Sequence, residues 1–259
     1  MIKQILFFYF ILCANAVSAQ STRLSDYNHI GWFGFLNTIK INENWSAHAE
    51  FQWRRDEYVN YGQQNLVRTG INYDGISNCQ IRVGVANAVT FPYGEYPINS
   101  FGKTFSESRI FEMIAFNQKI SKLNITNRIM LEQRWTEKYS SKDLQKADMH
   151  KYTNRARFMF RMQMPLGKQK MQKSYAAAYN ELFVGFGKNV AENIFDQNRT
   201  GVLLGRTFNK VFRMEGGYFS QIVQLSREIE SKNLIQYNQG FIINSYFNID
   251  ASHRKKNQQ

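Results

Sequence analysis

A chain of 259 residues with 33 Lys and Arg against 20 Asp and Glu, 15% aromatic residues and two cysteines is long enough for one large domain or two small ones. Two cysteines exclude a dense disulfide framework. The net charge of +13 admits a nucleic acid, a lipid surface or a cationic interior as its cause, and hydropathy patterning has to decide among them.

The chain opens with Lys3, an apolar run from Ile5 to Leu12, and the small-residue stretch Val17-Ser18-Ala19 before Gln20. Residues 1–19 therefore read as a cleaved secretory signal peptide, too short in its apolar run to span a bilayer as a helix. Leu12 precedes Cys13 where lipoprotein processing wants a small residue. Removing Lys3 leaves 32 basic against 20 acidic residues, a net +12, with Cys79 as the one remaining thiol. Residues 20–259 contain no Pro- or Ser-rich linker and are read as a single domain.

No later segment is apolar enough for a membrane helix. Strict alternation takes its place. Trp45, Ala47, Ala49, Phe51 and Trp53 share one face of an extended segment, and Ser46, His48, Glu50, Gln52 and Arg54 share the other. Val67, Ile71, Ile81, Val83 and Val85 continue the apolar face, opposed by Arg68, Asn72 and Arg82. In Asn124–Trp135, Ile125, Ile129, Leu131 and Trp135 oppose Thr126, Arg128, Glu132 and Arg134; in Arg155–Met164, Phe158, Phe160 and Met162 oppose Arg155, Arg157 and Arg161. A period of two assigns each set to its own sheet surface. Three arginines on one strand would cost about 2 to 4 kcal/mol each against mid-membrane lipid, so that face is the lumen.

The expected fold is all-β: an antiparallel transmembrane β-barrel of about 12 strands (10 to 12) with a polar, Arg/Glu-lined lumen. Segments are expected at 30–41, 45–57, 65–73, 79–91, 108–120, 123–137, 152–164, 175–186, 196–208, 212–225 and 234–249. Single-chain bacterial barrels have even strand numbers, which makes twelve the expectation if residues 20–28 add a short first strand, or ten if one segment lies outside the wall. Short connections at 42–44, 74–78, 121–122 and 208–210 alternate with longer ones at 58–64, 92–105, 138–151 and 187–195, and the long set is expected to face outward. Trp45, Tyr73, Phe208 and Phe212 near the short turns, and Trp53, Tyr58, Trp135 and Tyr139 near the long loops, read as two interfacial girdles.

One stretch, Phe195-Asp196-Gln197-Asn198-Arg199-Thr200-Gly201 through Gly205, Phe208-Asn209-Lys210 and Glu215-Gly216-Gly217-Tyr218, resembles the domain of unknown function 2490 family (DUF2490). Leu131-Glu132-Gln133-Arg134-Trp135 and Asn180-Glu181-Leu182-Phe183 are similar to two further blocks of that family in the same order. The resemblance covers essentially all of the chain after the leader. It implies an outer-membrane barrel of Gram-negative bacteria and brings no established activity. Where that family often closes on an aromatic last strand, this chain continues from Tyr246-Phe247-Asn248-Ile249 into a basic tail, Arg254-Lys255-Lys256.

The lumen-facing candidates are Glu50, Arg54, Arg68, Arg82, Glu112, Arg128, Glu132, Arg134, Arg155, Arg157, Arg161, Glu181, Arg199, Arg213 and Glu215. Arginines outnumber the carboxylates and hold them ionised, which fits an ion-pair network filling a largely plugged barrel with a structural or envelope-related role. A small channel or transporter for anionic solutes is the alternative, since a positive lumen favours anions. A second alternative is an outer-membrane lipid hydrolase or acyl-modifying enzyme centred on His48, which shares a strand face with Ser46 and Glu50. No His/Asp/Glu cluster has metal-ligand spacing, and no cofactor is expected. The expected location is the cell outer membrane. The expected partners are outer-membrane lipid and lipopolysaccharide, with the barrel assembly machinery during insertion and no nucleic acid.

Overall fold

The computed structural model of the chain describes residues 23–167, 173–190 and 194–252; the signal peptide expected at 1–19 and the basic tail at Arg254-Lys255-Lys256 lie outside them. The described residues form eleven strands: β1 (Arg23–Lys40), β2 (Trp45–Asp56), β3 (Tyr61–Ile76), β4 (Cys79–Thr90), β5 (Phe105–Ile120), β6 (Leu123–Lys138), β7 (Met149–Leu166), β8 (Ser174–Phe186), β9 (Phe195–Thr207), β10 (Phe212–Ile229) and β11 (Lys232–Asp250). Each strand pairs with its sequence neighbour antiparallel, and the sheet closes into a barrel where β1 meets β11.

That last pairing is parallel, running from Arg23↔Asn233 to Lys40↔Asp250. It removes the need for an even strand count. Residues 23–28 do not make a separate strand: they extend β1, with Asp26 and Asn28 buried and Tyr27 exposed, in step with β11. Eleven strands joined by ten antiparallel reversals leave the first and last strands pointing the same way, and a parallel ladder is the one pairing left to them.

The two parities go where alternation sends them. Phe51, Val67, Val83, Val85, Ile110, Phe158, Val202 and Leu204 are exposed on the outer surface, while Glu50, Arg68, Glu132, Arg155, Arg157, Glu181 and Glu215 are buried inside. This is the reverse of a barrel that packs its apolar residues inward. The interior is not wholly polar. Ile30, Trp32, Tyr175, Ala177, Leu203, Phe219 and Ile242 form an apolar cluster beside the seam, and Phe111, Met113, Ala115 and Met130 form another across from it. Gly201 and Gly205 on β9 leave space for the rings of Tyr179 and Tyr175, which lie across them where a methyl group would collide. This gives the Gly-x-x-x-Gly spacing a packing reason.

The connections β1–β2, β3–β4, β5–β6 and β9–β10 gather at one end of the barrel, where β7 also ends and β8 begins. Two of them are built alike. Asn42 Oδ1 accepts from the backbone N–H groups of Asn44 and Trp45 at 2.9 Å each, and Asn209 Oδ1 accepts from Val211 and Phe212 at 2.8 Å each. An asparagine that bonds its own backbone two residues on fixes a tight turn. Aromatics ring this end: Trp45 packs on Tyr73, and Phe212 packs between Phe208 and Phe247. At the opposite rim Phe33 packs on Trp53, Trp135 on Tyr152, and Tyr27 on Tyr237.

At that rim residues 91–104 form the longest connection and the 57–60 connection is shorter than expected, because β3 already begins at Tyr61. The 91–104 segment folds back across the mouth. Asp26 accepts from the backbone of Glu95 and Tyr96 at 3.4 and 3.3 Å, the Tyr93 hydroxyl donates to Gln236 Oε1 at 2.9 Å, and Arg227 donates to the Pro97 carbonyl at 2.7 Å. Tyr96 and Ile98 pack against Val223, Leu225 and Leu234. The connection leaves β4 and is strapped to β1, β10 and β11 on the other side of the barrel.

Candidate functional site

Strand register brings opposite charges together inside the barrel. Glu132 stands directly across from Arg155, Glu181 from Arg199, and Glu50 from Arg68. The Glu132 carboxylate, with no side-chain exposure, takes Arg155 at 2.6 Å and Arg157 at 2.9 Å, and Arg109 lies 3.6 Å away. Glu181 takes Arg157 at 2.8 Å and Arg128 at 2.7 Å. Arg109 and Arg134 face each other across β5 and β6, a repulsive pairing that Glu107 neutralises by accepting from both, at 2.5 and 2.7 Å. The carboxylates are shared, and Arg134, Arg155 and Arg157 each bond through two or more guanidinium nitrogens, the arrangement in which buried charge is best tolerated.

Two smaller groups sit nearer the short turns. Glu215 accepts from Arg161 at 2.7 Å, Tyr246 at 2.7 Å and Tyr175 at 2.9 Å, while the Arg213 guanidinium lies 4.1 Å from the centre of the Tyr246 ring. Glu50 takes Arg68 at 2.8 Å, and His48 Nε2 lies 3.3 Å from it; Arg82 donates to Asn72 Oδ1 at 2.5 Å. The Ser46 hydroxyl donates to Asp74 at 3.0 Å and accepts from Asn72 at 2.8 Å. Ser46 is thus committed away from His48, whose Nδ1 bonds to nothing among the described residues. Fourteen of the sequence-derived lumen residues lie on the inner face in this way. Glu112 is the correction. On β5 the odd-numbered residues Phe111, Met113 and Ala115 take the interior, so Glu112 points outward, exposed, and accepts from Gln133 at 3.2 Å.

Above the ion-pair layer, under the 91–104 strap, lies a cavity of about 150 Å³. Trp32 forms part of its wall, its indole N–H donating to Gln63 Oε1 at 2.6 Å. The guanidinium carbons of Arg54 and Arg199 lie 3.8 and 4.9 Å from the Trp32 ring centre, and Arg199 also lies 4.5 Å from that of Phe183. Burial pushes the Tyr93 hydroxyl of the strap up to about 12, so it stays a neutral donor.

Gln63 and Asp196 are residues that alternation does not reveal. The β2–β3 register jumps from Arg54↔Gln64 to Arg55↔Gly62, and the β8–β9 register from Phe183↔Gln197 to Val184↔Phe195. Each jump leaves one extra residue, Gln63 and Asp196. A β-bulge turns that residue off the strand's parity. Gln63 is buried against Trp32, and Asp196 accepts from Arg155 at 2.7 Å and lies 3.8 Å from Arg134. Glu107 and Arg109 were hidden differently, because they share their face with Phe111 and Met113 and dilute the polar pattern. The Asp196-Gln197-Asn198-Arg199 block was the available signal.

No group of three or more His, Cys, Asp or Glu side chains could hold a metal among the described residues. The chemistry on offer is recognition of negative charge. A family model described as a protein of unknown function, DUF2490, matches residues 30–232 of the chain. A search of curated proteins found no match.

Proposed function

The chain belongs to the DUF2490 family, and we propose that it is an outer-membrane barrel closed by its own side chains, a component of the envelope rather than an open pore. The observation that carries this reading is the shared carboxylate of Glu132, bonded to Arg155 and Arg157 with no exposure of its own, in an interior that also holds two buried apolar clusters. The apolar outer surface supports the membrane assignment. Contiguous exposed apolar area on this scale marks a lipid or protein contact, and moving one outward Phe or Leu from water into lipid stabilises by about 1.5 to 3 kcal/mol. On this reading a signal peptide directs export, the assembly machinery inserts the barrel, and membrane lipid and lipopolysaccharide cover its wall. The cationic mouth favours a second reading, passage of anionic solutes, which requires an open path past Glu132.

Membrane fractionation, a heat-modifiability gel and planar-bilayer recording test these together. The expected result is a heat-modifiable outer-membrane species giving no unitary currents across pH and salt. A soluble periplasmic species would overturn the location, and resolved currents would overturn the closed lumen.

A further inference from the structure

The cavity beneath the strap has more positive charge than its own carboxylates neutralise. Seven cationic side chains line it against two acidic ones, Glu107 and Asp196. Arg109, Arg134 and Arg155 have carboxylate partners. Arg54 and Arg199 have none within ion-pair distance, although they are only 6 and 8% exposed: Glu181, which stands across from Arg199, is bonded to Arg157 and Arg128 instead. Arg54 is held by the amide oxygens of Gln52 and Gln64, and Arg199 by the amide of Gln197 at 2.9 Å, with its Nε bonded to nothing. Lys138 and Lys151 line the same cavity. A buried cation with no ion pair of its own is destabilising. Two such cations against one indole, with an unused donor and adjoining space, describe a site built for an anion.

We propose that this cavity binds a phosphate-class anion, with Arg54 and Arg199 as its principal ligands and Lys138 and Lys151 at its entrance. Guanidinium forks match the paired oxygens of phosphate, and both guanidinium groups lie against the Trp32 ring. A water-sized probe needs roughly 10 to 15 Å³, so about 150 Å³ accommodates phosphate or a small phosphomonoester and excludes a lipid chain or an oligosaccharide. The anion is free phosphate or the exposed phosphate of a lipid headgroup reaching under the rim. The site goes beyond the closed-barrel reading and does not depend on it: conductance decides that reading and phosphate binding decides this one.

The test uses the detergent-purified full barrel, titrated calorimetrically with inorganic phosphate in one arm and with micelles of a phosphorylated glycolipid in the other. Saturable binding of one phosphate per barrel is expected, weakening with salt. Arg199→Gln should lower the affinity about tenfold or more, and Arg213→Gln, at the opposite end, should leave it unchanged. Without phosphate, Arg199→Gln should melt no lower than the native barrel, because it removes an uncompensated charge; a purely structural arginine would give a lower melting point. Binding in the glycolipid arm alone also supports the site and assigns the anion to a headgroup. Absence of saturable binding in both arms, or equal binding by Arg199→Gln, overturns it.

Discussion

Glu132 accepts from two buried arginines and faces a third, so its loss leaves charge with no water to turn to. Breaking a buried pair by removing one partner costs about 3 to 5 kcal/mol, even though the intact pair adds little net stability. Glu132→Gln is therefore expected to lower the unfolding midpoint in a denaturant or heat series by an amount of that order, whereas Glu112→Gln, on the outer face, should change it by no more than about 0.5 kcal/mol. An equal effect of the two would mean that Glu132 is not the centre of the network. The same pair marks how far single residues could be read. Glu132 was legible because strict alternation runs through β6 on both sides of it. Glu112 was misplaced because β5 carries Phe111 and Met113 inside, so polarity and parity disagree along that strand. Gln63 and Asp196 escaped altogether: an extra residue in one strand exists only in relation to its partner strand.

At the scale of elements the eleven segments were visible, since each needs only its own alternation. Their ends were less so. β1 starts at Arg23 instead of Ile30 because the polar residues Asp26 and Asn28 are satisfied by β11 and the strap, partners that lie 210 or about 70 positions away in the chain. The connections divide similarly. The asparagine turns at Asn42 and Asn209 announce themselves locally, and the course of 91–104 over the mouth does not. The β6–β7 connection offers a pH test at this scale. Ser140 donates to Asp148 through its hydroxyl at 2.6 Å and its backbone N–H at 3.0 Å, which holds the Asp148 carboxyl below its ordinary value of 3.8. A depressed folded value means that the contribution is present above pH 3.8 and lost as pH falls through the folded value. Pepsin cleavage within 139–148, taken relative to cleavage of an unfolded peptide of the same sequence at each pH from about pH 5 to pH 2, should stay slow and then rise at the acid end, while Asp148→Asn should remove that relative rise. A native rate independent of pH would remove the staple from the account.

For the whole molecule, the parallel seam is the one feature that counting strands by rule contradicts. Alternation gives eleven segments; the expectation of an even number came from hairpin closure, which this barrel does not use. The seam also joins the most distant parts of the chain, Arg23 with Asn233 and Lys40 with Asp250. Loop-closure entropy places such a contact late in assembly. Gly240 sits there against the Ile30 carbonyl, where a methyl group would collide with backbone. Gly240→Ala is expected to slow the final step of detergent refolding, seen as delayed gain of heat modifiability, while strand formation followed by circular dichroism keeps its native rate. Equal delay in both signals would place the seam early.

Because β1 and β11 run the same way, the backbone enters the wall at the strapped rim and leaves it at the short-turn rim. In an even-stranded barrel the two ends emerge side by side, and a short linker can join them while a new opening is cut at any hairpin. Here a joining linker would have to run the full height of the barrel, through its side-chain-lined interior or along the apolar outer face. Circular permutation is closed to this fold, and the position of its first strand is set by topology rather than by historical accident.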